Sequence, residues 1–335
     1  MGKTLFLHIG TQKTGTTSIQ TFLTKKQSTL LDHGFFYPDP DQVSIGLDGL
    51  NHGHLALTLT GYWRDTPIKL NAEDAWDKLR DLYLNYKKHL VISTELLSTP
   101  QIVPHHQFIS RYLEDINVKV IIYLRRQDLF VQSVYKERLK VGERRSFHQA
   151  YEQDDYKQVL DFYFILNSWR NWLGKDSIIV RPYEKNQLVN GDVLDDFLKI
   201  TELNKIPGLE PPIHPENKSF NRHALELSRE LNLLDISGPQ LTSFKYWLNE
   251  VLGGENEKTF SNHAIISPED CLKILSVYQQ NNEKVAREFL DRPDGKLFYD
   301  PLPDANENWK PYTGLPAKEV AKILLAMFKK YNVFN

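Results

Sequence analysis

Short apolar runs alternate with helix-period segments through the first two hundred residues of this 335-residue chain. Each run is long enough for one buried strand, and the segments between carry apolar residues at three- and four-residue spacing. Strands that alternate with helices in this way form a parallel sheet covered by helices on both faces. The pattern predicts strands over residues 3–9, 89–94, 118–124 and 177–181, and helices over residues 16–30, 128–140 and 189–203.

Two stretches depart from this alternation. Residues 35–67 are rich in proline and glycine, which predicts an insertion of loops with at most short helices. Prolines between residues 207 and 215 mark a linker, after which helical spacing returns over residues 221–234, 268–290 and 317–331. We therefore predict an α/β core over residues 1–205 and a helical C-terminal region over residues 206–335, packed on the core as one domain.

The charge and cysteine counts exclude several classes of protein. The chain has 41 Lys and Arg against 43 Asp and Glu, which argues against a nucleic-acid binder that relies on bulk positive charge. Its single cysteine, Cys271, excludes an intramolecular disulfide and any cysteine-based zinc site. No apolar run reaches the ~18 residues that span a bilayer, and no signal-peptide pattern precedes the first strand. These features predict a soluble, cytoplasmic enzyme without membrane insertion.

A glycine-containing loop, GTQKTGTTS, joins the first strand to the first helix. Gly10 and Gly15 allow the backbone to curl so that its N–H groups point inward, and the helix that begins near Thr16 adds its positive dipole end. Threonine and serine hydroxyls supply further donors. We expect a phosphate group to bind to Gly10, Gln12, Lys13, Thr14, Gly15, Thr16, Thr17 and Ser18.

The lysine of this loop stands at an unusual position. In a nucleotide-kinase P-loop the lysine directly follows the second glycine, where this chain has Thr16. Its lysine is Lys13, which precedes Gly15, so we expect the ammonium group to point at the bridging oxygen of the bound group. The same sequence is also compatible with an ordinary strand–helix turn that exposes its lysine.

A second candidate site follows the strand at residues 118–124. Arg125 comes directly after this strand, and Ser133 lies eight residues later on the next helix. The carboxyl ends of parallel strands are where open α/β sheets bind ligands, and an arginine there binds phosphate through its planar guanidinium group. The pair of Arg125 and Arg126 is also compatible with a solvated turn.

Taken together, the two motifs resemble those of the sulfotransferase superfamily, whose donor is 3′-phosphoadenosine 5′-phosphosulfate (PAPS). That superfamily carries its loop lysine ahead of the glycine, as in KTGTTS from Lys13. Its 3′-phosphate motif is a strand that ends in an arginine, with a serine eight residues later, as at Arg125 and Ser133.

Longer stretches extend this resemblance over roughly residues 3–235. LHIGTQKTGTTSIQ and YLRRQDLFVQSVY are similar to a bacterial branch of sulfotransferases. The Tyr183-Glu184 pair resembles the end of a later strand in the family, and residues 217–221 (NKSFN) also resemble that branch. The remaining C-terminal residues match the family only in being helical.

The resemblance implies a P-loop-like sulfotransferase fold with PAPS as co-substrate, adenosine 3′,5′-bisphosphate as product and no metal. Lys13 would neutralise the charge that develops on the bridging oxygen. The acceptor would be a hydroxyl group, of a glycan by analogy with related bacterial enzymes or of a small metabolite.

The base that accepts the hydroxyl proton is a histidine or a glutamate in this superfamily, often at the end of the strand before the arginine strand. Glu95 holds that position here, although it is equally compatible with a helix start after a Thr94 cap. His52, with His54 close by, is the second candidate. No further residues complete a metal-ligand set with these histidines or with the pair at 105–106.

Two other functions are alternatives for a chain with this loop. A P-loop kinase that uses ATP and magnesium would need a lysine at position 16 and an aspartate at a strand end, which this chain lacks at Thr16 and at Ser93-Thr94-Glu95. A non-catalytic nucleotide-binding protein on the same fold has no sequence feature that distinguishes it from an enzyme.

Overall fold

The structure, a computed structural model, describes residues 2–39, 42, 52–63, 66–67, 71–211, 220–234, 238–253, 265–306 and 309–330. Contacts divide the chain into two compact units that interleave along the sequence. The first unit comprises Met1–Arg126, Gln158–Ile213 and Tyr278–Pro301, and the second comprises Gln127–Lys157, His214–Val277 and Leu302–Asn335. The expectation that the C-terminal region packs on the core as one domain stays a prediction.

The strands of the described residues all lie in the first unit. They are β1 (Leu5–His8), β2 (Phe35–Phe36), β3 (Tyr62–Trp63), β4 (Thr66–Pro67), β5 (His89–Ser93), β6 (Val118–Leu124) and β7 (Ile178–Pro182). Five of them form a parallel sheet in the order β2-β5-β1-β6-β7, and β3 pairs with β4 in a separate antiparallel ladder.

The α-helices connect and cover these strands and build the second unit. They are α1 (Thr16–Lys25), α2 (Gln27–Asp32), α3 (His54–Thr60), α4 (Ala72–Asn85), α5 (His106–Leu113), α6 (Gln127–Val141), α7 (Phe147–Tyr151), α8 (Asp154–Lys157), α9 (Phe162–Leu173), α10 (Val193–Ile200), α11 (Arg222–Leu233), α12 (Pro239–Leu252), α13 (Pro268–Phe289) and α14 (Ala317–Lys330). In the described part of the chain, none is both long enough and apolar enough to cross a membrane.

Helices cover both faces of the sheet, which explains why its strands are mostly apolar. On one face, Phe6, Val91 and Ile121 pack in a buried cluster with residues of α1 and α10. On the other face, α4 contacts β5 and α9 contacts β7. The predicted α/β fold with a central parallel sheet is confirmed, and so are the four predicted strands.

Several elements differ from the sequence prediction. The insertion at residues 35–67 contains an edge strand, β2, which was missed because two residues give no periodicity. The single helix predicted over residues 16–30 is two helices, because the chain turns at Lys26, whose N–H bonds to the Phe22 and Leu23 carbonyls. The second unit also contains α12, which the sequence analysis did not predict.

The strand order creates one switch point, at β1. From β1 the chain builds β2 and β5 on one side and then crosses to build β6 and β7 on the other. Ligands bind outside the carboxyl ends of the strands at such a point. The carboxyl ends of β5, β1 and β6 are adjacent there, so the residues that follow these three strands are brought to one edge.

In the second unit, a buried lysine holds the C-terminal end of α6. The Lys245 ammonium group donates to the main-chain carbonyls of Leu139 (3.3 Å) and Lys140 (3.1 Å). Asn232 donates to the Leu139 carbonyl at 2.9 Å and also accepts from Lys245. Burial lowers the pKa of Lys245. These bonds satisfy carbonyls that a helix end leaves without partners, and they tie α11 and α12 to α6.

Candidate active site

The loop between β1 and α1 is attached to β6 by its first residues. Ile9 donates its N–H to the Ile121 carbonyl at 3.0 Å. Thr11 donates twice to the Tyr123 carbonyl, from its N–H at 3.2 Å and from its hydroxyl at 2.8 Å. Thr14, which is fully buried, donates its hydroxyl to the Thr11 carbonyl at 2.6 Å and closes the turn.

Three residues of the loop adopt a left-handed backbone, with φ of +37° at Gly10, +65° at Lys13 and +82° at Gly15. A Cβ atom at Gly10 would lie 2.7 Å from the Thr16 methyl carbon, and one at Gly15 would lie 2.6 Å from Val193 Cγ1. Both positions therefore require glycine. Lys13 adopts this conformation although it carries a side chain. Non-glycine residues in this conformation are uncommon and are concentrated at functional sites.

A buried ionic cluster fixes the position of α10, the helix that packs against the loop. Asp196 on α10 is fully buried and accepts from Arg181 Nε (2.9 Å), the Tyr123 hydroxyl (3.0 Å) and the Val189 N–H (3.1 Å). The cluster fixes α10 against β6 and β7. Because Val193 begins this helix and approaches Gly15, the loop rests on a rigid support.

The loop leads directly into α1, which begins without a side-chain cap at Gly15. The first bonds of the helix run from the N–H groups of Ser18 (3.0 Å) and Ile19 (3.2 Å) to the Gly15 carbonyl. The preceding N–H groups, of Thr16 and Thr17, have no acceptor within the helix. Together with the helix dipole, such groups form an anion-binding site.

Arg125 and Arg126 have different environments, so the pair is not simply a solvated turn. Arg125 is half-buried, and its Nη1 donates to the Lys13 carbonyl at 3.2 Å. Arg126 is buried, and its Nη1 donates to the Asp300 (3.1 Å) and Pro301 (2.8 Å) carbonyls. Arg125 thus lies at the loop between β1 and α1, whereas Arg126 anchors a distant segment of the chain.

Glu184 anchors the same segment from β7. Its buried carboxylate accepts the N–H groups of Tyr299 (2.7 Å) and Asp300 (3.1 Å). In the sequence, Glu184 is recognisable only as part of a family-like strand end, because no local signal links it to residues more than a hundred positions away.

Glu95 follows β5 at the same edge of the sheet. The Thr94 N–H bonds to the His8 carbonyl at 2.9 Å and extends the pairing of β5 with β1. The Thr94 hydroxyl accepts the Leu96 N–H at 3.3 Å and caps a short 3₁₀ turn. Glu95 Oε2 accepts a hydrogen bond of 3.2 Å from Gln20 Nε2 of α1. Glu95 therefore belongs to a capped turn, and its carboxylate is hydrogen-bonded to α1, the helix that follows the loop.

His52 lies behind the end of β5, fully buried. Its Nδ1 accepts the Ser93 N–H at 3.1 Å, and its Nε2 lies 3.0 Å from the Pro38 carbonyl, to which it donates. Burial lowers its pKa to about 4. With both ring nitrogens engaged, the ring joins Pro38 to the end of β5, an arrangement that argues against the predicted role of His52 as a base. His54 is buried at the start of α3.

His8, the last residue of β1, lies next to the loop and was not among the residues predicted from the sequence. Its Nδ1 is 2.8 Å from the Ser93 hydroxyl, and its ring packs edge-on against Tyr123 and Phe197. Complete burial lowers its pKa to about 3, so the ring is neutral at ordinary pH. The only sequence signal was a polar residue within an otherwise apolar strand.

The predicted site residues have different outcomes. Lys13, Glu95 and Arg125 follow three adjacent strands and lie at one edge of the sheet. Ser133 lies on α6 in the second unit, where its hydroxyl donates to the Leu129 carbonyl at 2.9 Å, and its partnership with Arg125 stays a prediction. The other loop residues predicted from the sequence lie between β1 and the first turn of α1: Gly10, Gln12, Thr14, Gly15, Thr16, Thr17 and Ser18.

Two further predictions concern the absence of a metal and the family-like NKSFN stretch at residues 217–221. Among the described residues, no three or more His, Cys, Asp or Glu side chains are grouped so as to hold a metal ion. Metal independence stays a prediction. Residues 217–219, part of the family-like NKSFN stretch, lie outside the described residues.

Comparison with known proteins assigns no family. No family profile matches the chain, and no solved structure matches it. An uncharacterized protein of Archaeoglobus fulgidus is 28% identical over 174 residues, which cover 51% of this chain and 46% of the relative. The chain thus spans about half the length of that relative, whose description names no activity.

The buried histidines predict an acid-sensitive fold. Because His8 and His52 have folded-state pKa values of about 3 and about 4, below the ordinary value of 6.5, the unfolded chain binds more protons between these limits. Stability is therefore full above pH 6.5 and falls as the pH drops towards 4, by up to about 1.4 kcal/mol per pH unit for each ring.

Urea unfolding between pH 7.5 and 4.5 measures this slope. His52→Gln should reduce it by close to one proton, whereas His33→Gln, which changes an exposed ring, should leave it unchanged. An identical slope in the native protein and the His52 variant would contradict the assignment of His52 as a neutral structural group.

Proposed function

We propose that this protein is a sulfotransferase that moves a sulfuryl group from PAPS to a hydroxyl acceptor. The observation that carries the proposal is the bond from Arg125 to the Lys13 carbonyl, because it joins the two predicted phosphate-binding elements. Both elements lie at the switch point of a parallel sheet, where such folds bind nucleotides.

In the proposed complex, the two phosphate ends of the donor bind to different elements. The 5′-phosphosulfate lies on the N–H groups and hydroxyls at the start of α1, with Lys13 beside it. The 3′-phosphate lies against Arg125, whose guanidinium has five N–H donors and so has the capacity to bind a phosphate as well as the Lys13 carbonyl. The role of Ser133 in this subsite stays a prediction from the sequence.

The proposed reaction is an in-line displacement at sulfur. A bond forms between the acceptor oxygen and sulfur while the bond from sulfur to the bridging oxygen breaks, and its electron pair stays on the 5′-phosphate. Lys13 neutralises the charge that develops on this leaving oxygen, and Glu95 takes the proton of the acceptor hydroxyl. The acceptor that we propose is a carbohydrate or a small metabolite with a free hydroxyl group.

The kinase alternative has less support. A kinase lysine would stand at position 16, where a buried threonine packs its methyl group against Gly10. The carboxylate after β5 is held by Gln20, whereas a kinase needs an aspartate there to bind magnesium.

The nucleotide that binds tests the proposal. Adenosine 3′,5′-bisphosphate should raise the melting temperature in the presence of EDTA, and adenosine 5′-monophosphate should do so much less, because the Arg125 contact requires the 3′-phosphate. Arg125→Ala should remove about 2–4 kcal/mol of binding free energy for the bisphosphate and almost none for the monophosphate, as measured by calorimetry.

Arg111→Ala is the matched control, because Arg111 lies on α5, which leads into the opposite, amino end of β6. It should bind the bisphosphate like the native protein. Equal affinity of the native protein for both nucleotides, or stabilisation by ATP with magnesium alone, would contradict the proposed donor.

Replacement of the proposed base should lower turnover without weakening nucleotide binding. Glu95→Gln keeps the shape of the side chain but cannot accept a proton, so kcat should fall by roughly 10²–10⁴. The affinity for adenosine 3′,5′-bisphosphate should stay within about twofold of native, since the carboxylate does not bind the nucleotide in this proposal. The rate is measured as bisphosphate release from PAPS in a mixture of mono- and disaccharides and small alcohols.

Glu114→Gln, at the end of α5, serves as the charge-matched control and should retain full turnover. Native turnover in Glu95→Gln would exclude Glu95 as the base, and a folded His52→Gln variant without turnover would favour the histidine.

A further inference from the structure

We propose that Gln20 is the positioning residue for Glu95, and that its side-chain amide holds the carboxylate in one orientation, directed at the acceptor. This inference rests on the proposed function, in which Glu95 accepts the proton. Nothing in the phosphate-loop pattern requires a glutamine at this point, since Gln20 lies beyond the residues that bind the anion.

The hydrogen bonds define which end of the amide faces Glu95. Gln20 is 4% exposed, and its side-chain nitrogen donates to Glu95 Oε2 at 3.2 Å and lies 3.5 Å from the Ser93 carbonyl. A carbonyl oxygen only accepts hydrogen bonds, so the amide nitrogen and not the amide oxygen faces this pair. Glu95 therefore receives a hydrogen bond rather than donating one.

Ser93, whose carbonyl the Gln20 amide approaches, is itself held in place by several hydrogen bonds. Ser93 pairs with His8 in the sheet, its hydroxyl lies 2.8 Å from His8 Nδ1, and its N–H donates to His52 Nδ1. Both histidines are fully buried, which leaves the end of β5 little freedom to move. A glutamine anchored on such a support holds its second partner in one orientation.

The position of Gln20 also links the base to the donor site. It lies on α1 four residues after Thr16, or about 6 Å along the helix. The N-terminus of that helix binds the phosphosulfate in the proposed complex, so one rigid helix fixes the distance between donor and base. Errors of about 1 Å in such a distance lower turnover by as much as 10²-fold.

A double-mutant cycle tests the proposal. Gln20→Met keeps the length of the side chain without a donor, and it should lower kcat by about 10- to 100-fold with bisphosphate affinity within about twofold of native. In the Glu95→Gln background the same change should lower kcat no further, because Gln20 acts only through Glu95. Gln107→Met, an exposed change on α5, is the matched control and should have no effect.

A second measurement does not depend on activity. The side-chain amide proton of Gln20 that bonds to Glu95 should resonate upfield of its native position in Glu95→Ala, which removes the acceptor, and should not move in Glu114→Gln. Gln20→Glu, a second variant in case the methionine protein does not fold, replaces the donor by a carboxylate and should also lower kcat with bisphosphate affinity within about twofold of native.

The outcomes separate this inference from the proposed function. Losses that multiply in the double mutant, or an unmoved Gln20 amide resonance, would overturn the role of Gln20 while leaving sulfuryl transfer intact. A native protein that transfers no sulfuryl group would refute the proposed function and with it the catalytic role of the pair, whereas a shifted Gln20 resonance in Glu95→Ala would still support the Gln20–Glu95 contact.

Discussion

The double hydrogen bond from Thr11 to the Tyr123 carbonyl ties the loop after β1 to the strand that carries Arg125. Because Tyr123 lies two residues before Arg125, loop and guanidinium share one anchor, and Arg125 reaches the Lys13 carbonyl. The Tyr123 hydroxyl meanwhile donates to the buried Asp196, which fixes the helix beneath the loop. One strand end thus supports the loop and brings the arginine to it.

The order of the strands places the proposed nucleotide-binding arginine and the proposed base on opposite sides of β1. Arg125 follows β6 and Glu95 follows β5, on opposite sides of β1. With neighbouring strands 4.7–4.9 Å apart, these two positions are separated by about 10 Å at the backbone, with the loop of Lys13 between them. In the proposed reaction the nucleotide extends towards β6, the acceptor approaches from β5, and the sulfuryl group lies between them at the lysine.

The parts of this arrangement that the sequence predicts are those with a local signal. Dense apolar runs locate four strands, and the glycines around Lys13 locate the loop. The sequence could not show that Arg126 binds a segment 174 residues away, since such a contact leaves no periodic pattern. It also offered His52 as a second candidate base, whereas the structure buries this ring against β5, because burial depends on contacts with residues that are distant in the sequence.

Label transfer from ³⁵S-labelled PAPS tests the central claim most directly. The native protein, incubated in EDTA with mixed mono- and disaccharides and small alcohols, should move the label to an acceptor and release one adenosine 3′,5′-bisphosphate for each group transferred. Lys13→Ala should lose about 10²–10³ in this rate and keep its fold, because its charge acts mainly as the bridging oxygen becomes anionic. Equal transfer by native protein and Lys13→Ala, or transfer of phosphate from ATP in place of sulfur label, would contradict the account.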